Sequence, residues 1–248
     1  MALLFEMHSL SASYDANLVL QDVNLEVCEN DFIGVIGPNG GGKTTLLKII
    51  LGLLKPVKGE IIFNTELLNR NAIGYLPQIS TGDSYYPVTV TDIILSGLMI
   101  NKGIISRMSS ADKDKADMVI DELGLTGLGG STLTELSGGQ IQRVFLGRAI
   151  IADPRLLLLD EPANFVDTTF ENNFYEKLKE LNKRMAILMV SHDVGTISSH
   201  IKSFACVNMN LHYHQSNEIT NEDLVAYGCP IQLVTHGDVP HTVLKRHK

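Results

Sequence analysis

Gly37-Pro-Asn-Gly-Gly-Gly42-Lys43-Thr44 is the stretch of sequence that decides the fold. It fits the pattern G-x-x-x-x-G-K-[ST], in which glycines let backbone N–H groups turn inward around a chain of phosphates. The pattern predicts that Lys43 reaches the β- and γ-phosphates of a nucleotide and that the Thr44 hydroxyl ligates Mg²⁺. A tight glycine turn with a solvated lysine is the alternative, and the neighbouring sequence decides between the two.

The residues on either side of this phosphate loop predict a strand before it and a helix after it. The apolar run between Asp31 and Gly37 is typical of a buried parallel strand. The stretch after Gly42 favours a helix through about Leu54. This order places the positive N-terminus of the helix at the phosphates, which favours a nucleotide site.

The same alternation of strand and helix continues along the chain. Apolar strands are predicted at Leu156–Leu159 and Ala186–Val190, with a helix from about 170 to 181 between them. Repeated βαβ units predict an α/β fold with a mostly parallel sheet. The opening, from Leu3 to about Val27, alternates apolar residues with turn residues and predicts short strands of a sheet.

A largely helical middle third separates the phosphate loop from the second strand of this series. Its clearest helix carries apolar residues at i, i+3, i+4 and i+7, namely Ala116, Val119, Ile120 and Leu123. We expect this part, about residues 79–141, to form an inserted helical subdomain.

Composition excludes several classes of protein. The chain has 248 residues, of which 44% are hydrophobic and 19% charged, so it can bury a large core. The formal net charge of -8 argues against a general affinity for nucleic acid. Its three cysteines show no metal-binding spacing and fit a reducing cytosol. No stretch approaches the roughly 20 apolar residues that span a bilayer, so any membrane component is expected in a partner.

Two carboxylates follow the predicted strand that begins at Leu156. In an open α/β sheet, Asp160 and Glu161 would lie at the carboxyl edge, where nucleotides bind. Asp160 is expected to hold Mg²⁺, and Glu161 to polarise an attacking water, a role worth roughly 10²–10⁴-fold in rate. By itself an Asp-Glu strand end is a weak signal and often caps a surface, so the inference depends on the phosphate loop.

A second anion site is predicted at Leu136-Ser-Gly-Gly-Gln140, which precedes a helix over 141–151. One chain needs only one cradle for a γ-phosphate. The second cradle therefore suggests contact with a nucleotide that is held by another molecule.

With these motifs, the chain resembles the nucleotide-binding subunits of ABC transporters over nearly its whole length. The resemblance implies an ATPase domain over 1–230, with an antiparallel β subdomain at its start and the helical insertion. It also implies a head-to-tail homodimer that binds ATP and Mg²⁺ and drives separate permease subunits. The residues that it places around the nucleotide are Tyr14, Gly37, Pro38, Asn39, Gly40, Gly41, Gly42, Lys43, Thr44, Thr45, Ser137, Gly138, Gly139, Gln140, Asp160 and Asp167.

Four further roles come from the resemblance alone. Tyr14 resembles the aromatic residue that stacks on adenine, although a tyrosine before a strand can equally be ordinary sheet packing. Gln78 resembles the glutamine that senses Mg²⁺ and the attacking water. His192 resembles the histidine that contacts the γ-phosphate, and Asp167 the aspartate that couples the two sites of the dimer. Together with Glu161, Gln78 and His192 form the expected catalytic set.

The transported species is suggested by likeness to a subfamily. The GGGKTT of the loop, the segment 86–98 and the ending through 207–214, 227–230 and 235–241 resemble zinc- and manganese-type metal importers. The resemblance implies a peripheral position on the cytoplasmic face of the membrane, permease subunits and an extracytoplasmic solute-binding protein. An exporter, or an importer of a solute other than a metal, stays open as the alternative.

Two segments allow a functional and a structural interpretation. The apolar stretch from Gln78 to Leu98 would border a groove for a membrane partner, or supply subdomain core. The tail over 231–248 belongs to a histidine-rich ending that could bind a metal or be a solvated surface. The histidines concerned are His200, His212, His214, His236, His241 and His247, with Cys206 and Cys229.

Other ATPase classes need features that the sequence lacks. A translation factor of this type carries two ATPase units in one chain, and a chromosome or repair ATPase carries long heptad repeats. A P-loop kinase shares the phosphate loop but has no need of the Leu136–Gln140 motif. A scaffold would require a broken site, whereas Lys43, Asp160, Glu161 and His192 are all present.

Overall fold

The computed structural model describes residues 2–14, 17–68, 73–78, 87–99, 107–162, 168–192, 194–217, 231–235 and 240–244. The strands are β1 (Leu3–Tyr14), β2 (Asn17–Cys28), β3 (Phe32–Ile36), β4 (Lys58–Phe63), β5 (Ile73–Leu76), β6 (Leu156–Asp160), β7 (Ala186–Val190), β8 (Ser203–Asn208), β9 (Asn210–His214), β10 (Ile231–Thr235) and β11 (Pro240–Leu244). The helices are α1 (Lys43–Ile50), α2 (Val90–Ser96), α3 (Ser110–Glu122), α4 (Gly138–Ile150), α5 (Thr168–Leu181) and α6 (Val194–Ser198).

A six-stranded sheet in the order β5-β6-β7-β3-β8-β9 forms the centre of the fold. Its first five strands are parallel, and β9 returns antiparallel beside β8. Every residue of β3, β6 and β7 is buried, which explains why these strands are continuous apolar runs. The predicted α/β class with a mostly parallel sheet is confirmed.

A separate antiparallel sheet, β2-β1-β4, is built from the N-terminal segment. Its first two strands are 12 residues each, longer than the short strands expected from the sequence. Polar residues that look like turn signals lie inside them, where Ser9 and Asp22 adopt positive φ angles of 44° and 51°. The pairing register shifts near these positions, so the strands absorb the irregularities as bulges and continue.

Helix α1 ends at Ile50, earlier than the predicted end near Leu54. Gly52 has φ 69°, a left-handed conformation that terminates helices, and Pro56 follows. The amide of Leu53 turns back to the carbonyl of Lys48. Leu53 is consequently left 71% exposed beyond the helix end.

Three helices of the middle third pack together, with α2 against α3 and α4, and α4 also against β5. Each begins with a capping box, formed by Thr89 with Asp92, by Ser109 with Asp112 and by Ser137 with Gln140. The apolar stripe predicted for α3 is buried, which confirms that helix. The bounds proposed for the helical subdomain, about 79–141, remain an expectation.

Two hydrophobic cores cover the central sheet. One lies between the sheet and helices α2 to α6, and the other between the sheet, α1 and the antiparallel sheet. The hairpin β10–β11 falls in the proposed tail, and β11 lies against α6. Among the described residues, no helix combines the length and the apolar character that crossing a membrane requires.

We expect Gly37→Ala to destabilise the fold by more than about 2 kcal/mol, because the added Cβ meets backbone that cannot move aside. That atom would lie 2.0 Å from the carbonyl oxygen of Val207, and Gly37 has φ 148°. Gly40→Ala is the matched control, since Gly40 also has positive φ, 79°, but nothing lies within 4 Å of its Cβ. Urea unfolding should show a loss of only about 1 kcal/mol for the control. Equal losses for both variants would contradict the packing argument.

Candidate functional site

The phosphate loop connects β3 to α1 and is held by its own lysine. The Lys43 side chain is buried, and its ammonium donates to the carbonyls of Gly37 at 2.8 Å and Pro38 at 2.9 Å. Gly42 caps the helix with φ 105°, and the amide of Met209, after β8, donates to the carbonyl of Gly41 at 3.1 Å. The loop therefore already has the positive charge and the glycine conformation that the motif requires, and hydrogen bonds fix it in one turn.

The carboxyl end of β6 brings Asp160 to this loop. Its side chain is buried, and the Thr44 hydroxyl at the start of α1 donates to its Oδ1 at 3.4 Å. Burial raises the pKa of Asp160 above its ordinary value; the Thr44 hydrogen bond opposes this rise, and the neighbouring charge of Glu161 adds to it. A hydroxyl and a carboxylate are oxygen ligands of the kind that Mg²⁺ takes beside waters and phosphates.

A third group on Asp160 was missed by the sequence. Tyr75 on β5 lies near the Asp160 carboxylate, and burial, followed by the charge of Asp160, raises the pKa of Tyr75. Strands β5 and β6 are neighbours in parallel register, with Tyr75 opposite Leu158. Nothing in the sequence pairs these strands, because β5 precedes β6 by about eighty residues along the chain. Only the order of the sheet reveals the contact.

Glu161 lies between the two other residues of the expected catalytic set. Gln78 Nε2 donates to its Oε2 at 2.9 Å, and Nδ1 of His192 lies 3.8 Å from its Oε1. The Glu161 backbone has φ 48°, and its amide donates to the carbonyl of Val190 at the end of β7. Three residues from three separate segments thus converge on one carboxylate at the edge of the sheet.

Tyr14 has an exposed ring beside the helix that follows the phosphate loop. It is 41% exposed, and the Lys48 ammonium on α1 lies 5.7 Å from the ring centroid and 3.4 Å from the hydroxyl. This ring is therefore not part of the hydrophobic core of the sheet. A free aromatic face near the loop fits the expected adenine contact.

Ser137 to Gln140 are positioned differently from the other predicted site residues. Ser137 caps α4: its hydroxyl accepts from the Gln140 amide at 3.3 Å, and the Gln140 side chain accepts from the Ser137 amide at 2.8 Å. Within the described chain, no hydrogen bond joins this cap to the phosphate loop. Ser137 is exposed, so the motif is available to another molecule. Asp167 lies outside the described residues.

In the part of the chain that the structure describes, the histidines of the ending do not form a cluster of three or more metal-ligating side chains. His212 on β9 pairs with Cys206 on β8, and His214 with Phe204. His200 stacks on Tyr175 instead. No group of three or more His, Cys, Asp or Glu that could hold a metal occurs among the described residues. His236, His247 and Cys229 lie outside them, as does the side chain of His241.

We expect Asp160→Asn to stabilise the protein near neutral pH, because it removes a carboxylate whose ionised form the folded state disfavours. The pKa of Asp160 is raised in the folded state, so its carboxylate destabilises the fold only when it is ionised. This destabilisation is absent at low pH and grows as the pH rises from the pKa of the unfolded chain, about 4, through the pKa of the folded protein. Thermal unfolding at pH 7.5 should show a Tm higher by roughly 2–4 °C, equivalent to about 1 kcal/mol. The gain should shrink as pH falls toward 4.

Asp117→Asn is the control for this experiment, since Asp117 is exposed on α3, away from the nucleotide edge. It should leave the Tm unchanged at both pH values. A gain for Asp160→Asn that does not depend on pH would contradict the assigned cause.

Comparison with known proteins places this geometry in context. A family described as ABC transporter matches residues 20–164. The zinc uptake system ATP-binding protein ZurA of Listeria monocytogenes is 35% identical over 215 residues, which cover 84% of both chains. A probable metal transport system ATP-binding protein of Chlamydia muridarum is 42% identical over 177 residues, covering 71% of this chain and 75% of the relative.

Solved structures show the same fold. A transporter described as an ABC transporter of the metal-chelate type, in an inward-facing conformation, superposes with a TM-score of 0.83 at 27% identity, covering 98% of this chain and 96% of the other. An ATP-binding cassette in its ADP conformation superposes with a TM-score of 0.79 at 23% identity, covering 92% and 99%. The second likeness concerns the fold alone.

Proposed function

The chain belongs to the ABC transporter family, and from this premise we propose that it powers import of a divalent metal ion, of the zinc or manganese type, through separate membrane subunits. As a member of this family, the chain is an ATP-binding ATPase subunit that dimerises and works with membrane permeases. The metal is supported by the relatives: zinc uptake in Listeria monocytogenes and zinc import in Pasteurella multocida, the latter at 36% identity over 210 residues. Their names also favour import over export.

The site residues receive roles that agree with their contacts. Lys43 binds the β- and γ-phosphates once it releases the carbonyls of Gly37 and Pro38. Thr44 and Asp160 would hold Mg²⁺, with Gln78 as the third expected ligand, and Tyr75 lies beside the Asp160 carboxylate. The metal supplies charge for the phosphates when it is bound.

Glu161 is the group that accepts a proton from, or orients, the attacking water. Its carboxylate already has Gln78 on one oxygen and His192 near the other, so both neighbours can fix its direction. His192 is half exposed at the sheet edge, where the γ-phosphate would lie. Three residues on separate segments then respond together to whether the γ-phosphate is present.

The remaining nucleotide contacts are proposed to come from a second copy of the chain. Ser137, Gly138 and Gly139 lie at the N-terminus of α4, where Ser137 is exposed and the first turn carries no acidic residue. In a head-to-tail dimer this cap closes over the ATP held by the partner's phosphate loop. Asp167 is assigned to coupling between the two sites through the resemblance alone.

A hollow of about 450 Å³ offers a place for the permease subunit. It lies where the end of α1, strand β5, α2 and α4 meet, and Leu53, Gly97 and Arg148 line it. In the segment after Gln78, Val90, Ile94 and Leu95 are core, whereas Ser96 and Gly97 face the hollow. The buried residues fit the core interpretation of that segment, and we propose the docking interpretation for Ser96 and Gly97. We place the chain on the cytoplasmic face of the membrane, with an extracytoplasmic solute-binding protein completing the transporter.

We expect Glu161→Gln to lower ATP turnover by at least about 10²-fold, because the amide cannot accept the proton of the attacking water. Light scattering should then show that ATP converts the purified variant from monomer to dimer, since the ATP that holds the dimer closed is no longer hydrolysed. Glu60→Gln, at an exposed position on β4, is the control and should hydrolyse ATP normally. Normal turnover in Glu161→Gln would overturn the assignment.

The transported species can be tested in the source cell. Replacing the chromosomal copy by Glu161→Gln should abolish energy-dependent accumulation of zinc or manganese, measured with the radioactive ions. If accumulation of both metals persists while ATP turnover of the purified variant is lost, the chain is an ABC ATPase for another solute.

We expect Leu53→Asp to prevent assembly with the membrane subunits while the isolated chain still hydrolyses ATP. The side chain is 71% exposed at the hollow, so a charge there should disturb docking and leave the fold intact. Met118→Asp on α3, at a residue 64% exposed and outside the hollow, is the control. Co-purification from detergent measures the effect, and retained assembly of Leu53→Asp would exclude this surface.

A further inference from the structure

A basic hollow lies at the edge of the central sheet opposite the phosphate loop. It occupies about 480 Å³ where β3 and β8 begin, and no acidic side chain is among the described residues that line it. Its polar lining consists of Asn30, Lys179, Asn182, Lys183, His200 and Lys202. The chain has a formal net charge of -8, but three lysine ammonium groups line this hollow, so its local charge is positive.

His200 is the buried member of this set. Its side chain is only 9% exposed, and its ring stacks on Tyr175 with centroids 4.7 Å apart and planes 15° from parallel. Its Nδ1 has no hydrogen-bond partner, and the nearest carboxylate oxygen, on Glu176, is 3.7 Å away. A buried polar atom without a partner costs about 1–3 kcal/mol, which a ligand with an oxygen acceptor would recover.

The lysines differ in how their charges are satisfied. Lys202 donates to the carbonyl of Asn30 at 2.6 Å, and Lys179 pairs with Glu176 at 2.9 Å. Lys183, just after α5, makes no side-chain hydrogen bond or ion pair with the described residues, and the charge of Glu180 acts on it only from beyond ion-pair distance. Its ammonium is therefore the charge that is most available to a bound anion.

The rim of the hollow is rigid. Asn182 is buried, and its amide nitrogen donates to the carbonyls of Asn30 at 3.1 Å, Asp31 at 2.8 Å and Met185 at 3.1 Å. These bonds fix the turn before β3 against the end of α5. Lys183 follows Asn182 directly, so its backbone position is set by the same anchor.

We propose that this basic hollow binds a small tetrahedral oxyanion of the phosphate class. The anion is held by Lys183 and Lys202 and accepts a hydrogen bond from the His200 imidazole. The site is distinct from the nucleotide site, because β3 begins at the hollow with Phe32 and ends at Ile36, next to the phosphate loop on the opposite edge of the sheet. It does not depend on the proposed transport of a metal.

The test follows the His200 imidazole by NMR in protein with isotope-labelled histidine. Saturating ADP and Mg²⁺ fill the phosphate loop, and sodium sulfate is titrated at constant ionic strength against sodium chloride. We expect a saturable shift of the His200 signals, which His200→Gln identifies by their loss. Inorganic phosphate should produce the same shift, while chloride alone should not.

Lys183→Gln should weaken sulfate binding by at least about fivefold, as expected for the loss of one nearby charge. Lys113→Gln is the matched control: it also removes one positive charge, but Lys113 is exposed on α3 and does not line the hollow. The affinity of this control variant for sulfate should equal that of the unchanged protein. No saturable shift, or equal weakening by both substitutions, would overturn the proposal.

A dependence on pH provides a second readout. Burial lowers the pKa of His200, the charge of Lys179 adds to this, and Glu176 opposes it. A bound dianion favours the imidazolium form, so sulfate affinity should rise as pH falls from 8 to 6. Sulfate stays a dianion in this range, and the charged groups that face the imidazole are Lys179, Lys183, Lys202 and Glu176. An affinity independent of pH would remove His200 from the site.

Discussion

Thr44 and Tyr75 reach the buried carboxylate of Asp160 from two different elements, and the geometry of the nucleotide edge depends on this junction. One donor begins the helix after the phosphate loop, and the other lies on the strand beside β6. The carboxylate is thereby tied to the phosphate loop through Thr44, whose hydroxyl lies 3.4 Å from its Oδ1. A charge that is buried in this way is unfavourable for the fold, but its hydrogen bonds keep it ionisable where a metal ion must be bound.

Glu161, the residue after Asp160, gives the carboxyl end of β6 a second role. Glu161 leaves the sheet with φ 48°, a conformation that costs a non-glycine residue about 1–3 kcal/mol. Its amide is fixed by the carbonyl of Val190, so the strained turn is held by β7. Two adjacent carboxylates therefore have separate environments: one is buried against hydroxyls, and the other faces Gln78 and His192. This division matches the two tasks of holding a cation and activating water.

The two ends of the parallel strands carry opposite chemistry. At the carboxyl ends lie the carboxylates of Asp160 and Glu161, and the glycine loop with its lysine. At the amino ends lie Lys183 and Lys202, around a hollow without acids. Because parallel strands align all their like ends, residues that are distant in sequence gather at one edge or the other. The helical layer with α2, α3 and α4 is lateral to both edges and presents Ser137 and the hollow near Leu53 to other molecules.

The sequence by itself determined the phosphate loop, the α/β class, the buried strands and the family, because these depend on local pattern: glycine spacing, continuous apolar runs and the order of motifs. It also predicted α3 and α5 closely, whereas the end of α1 was placed too late because the left-handed Gly52 was not recognised as a stop. The tertiary structure alone decided which strands are neighbours. That order brings Tyr75 to Asp160, places Gln78 and His192 on the two sides of Glu161, and gathers three lysines around a buried His200. Such contacts join residues that are far apart in the chain, and no local periodicity encodes them.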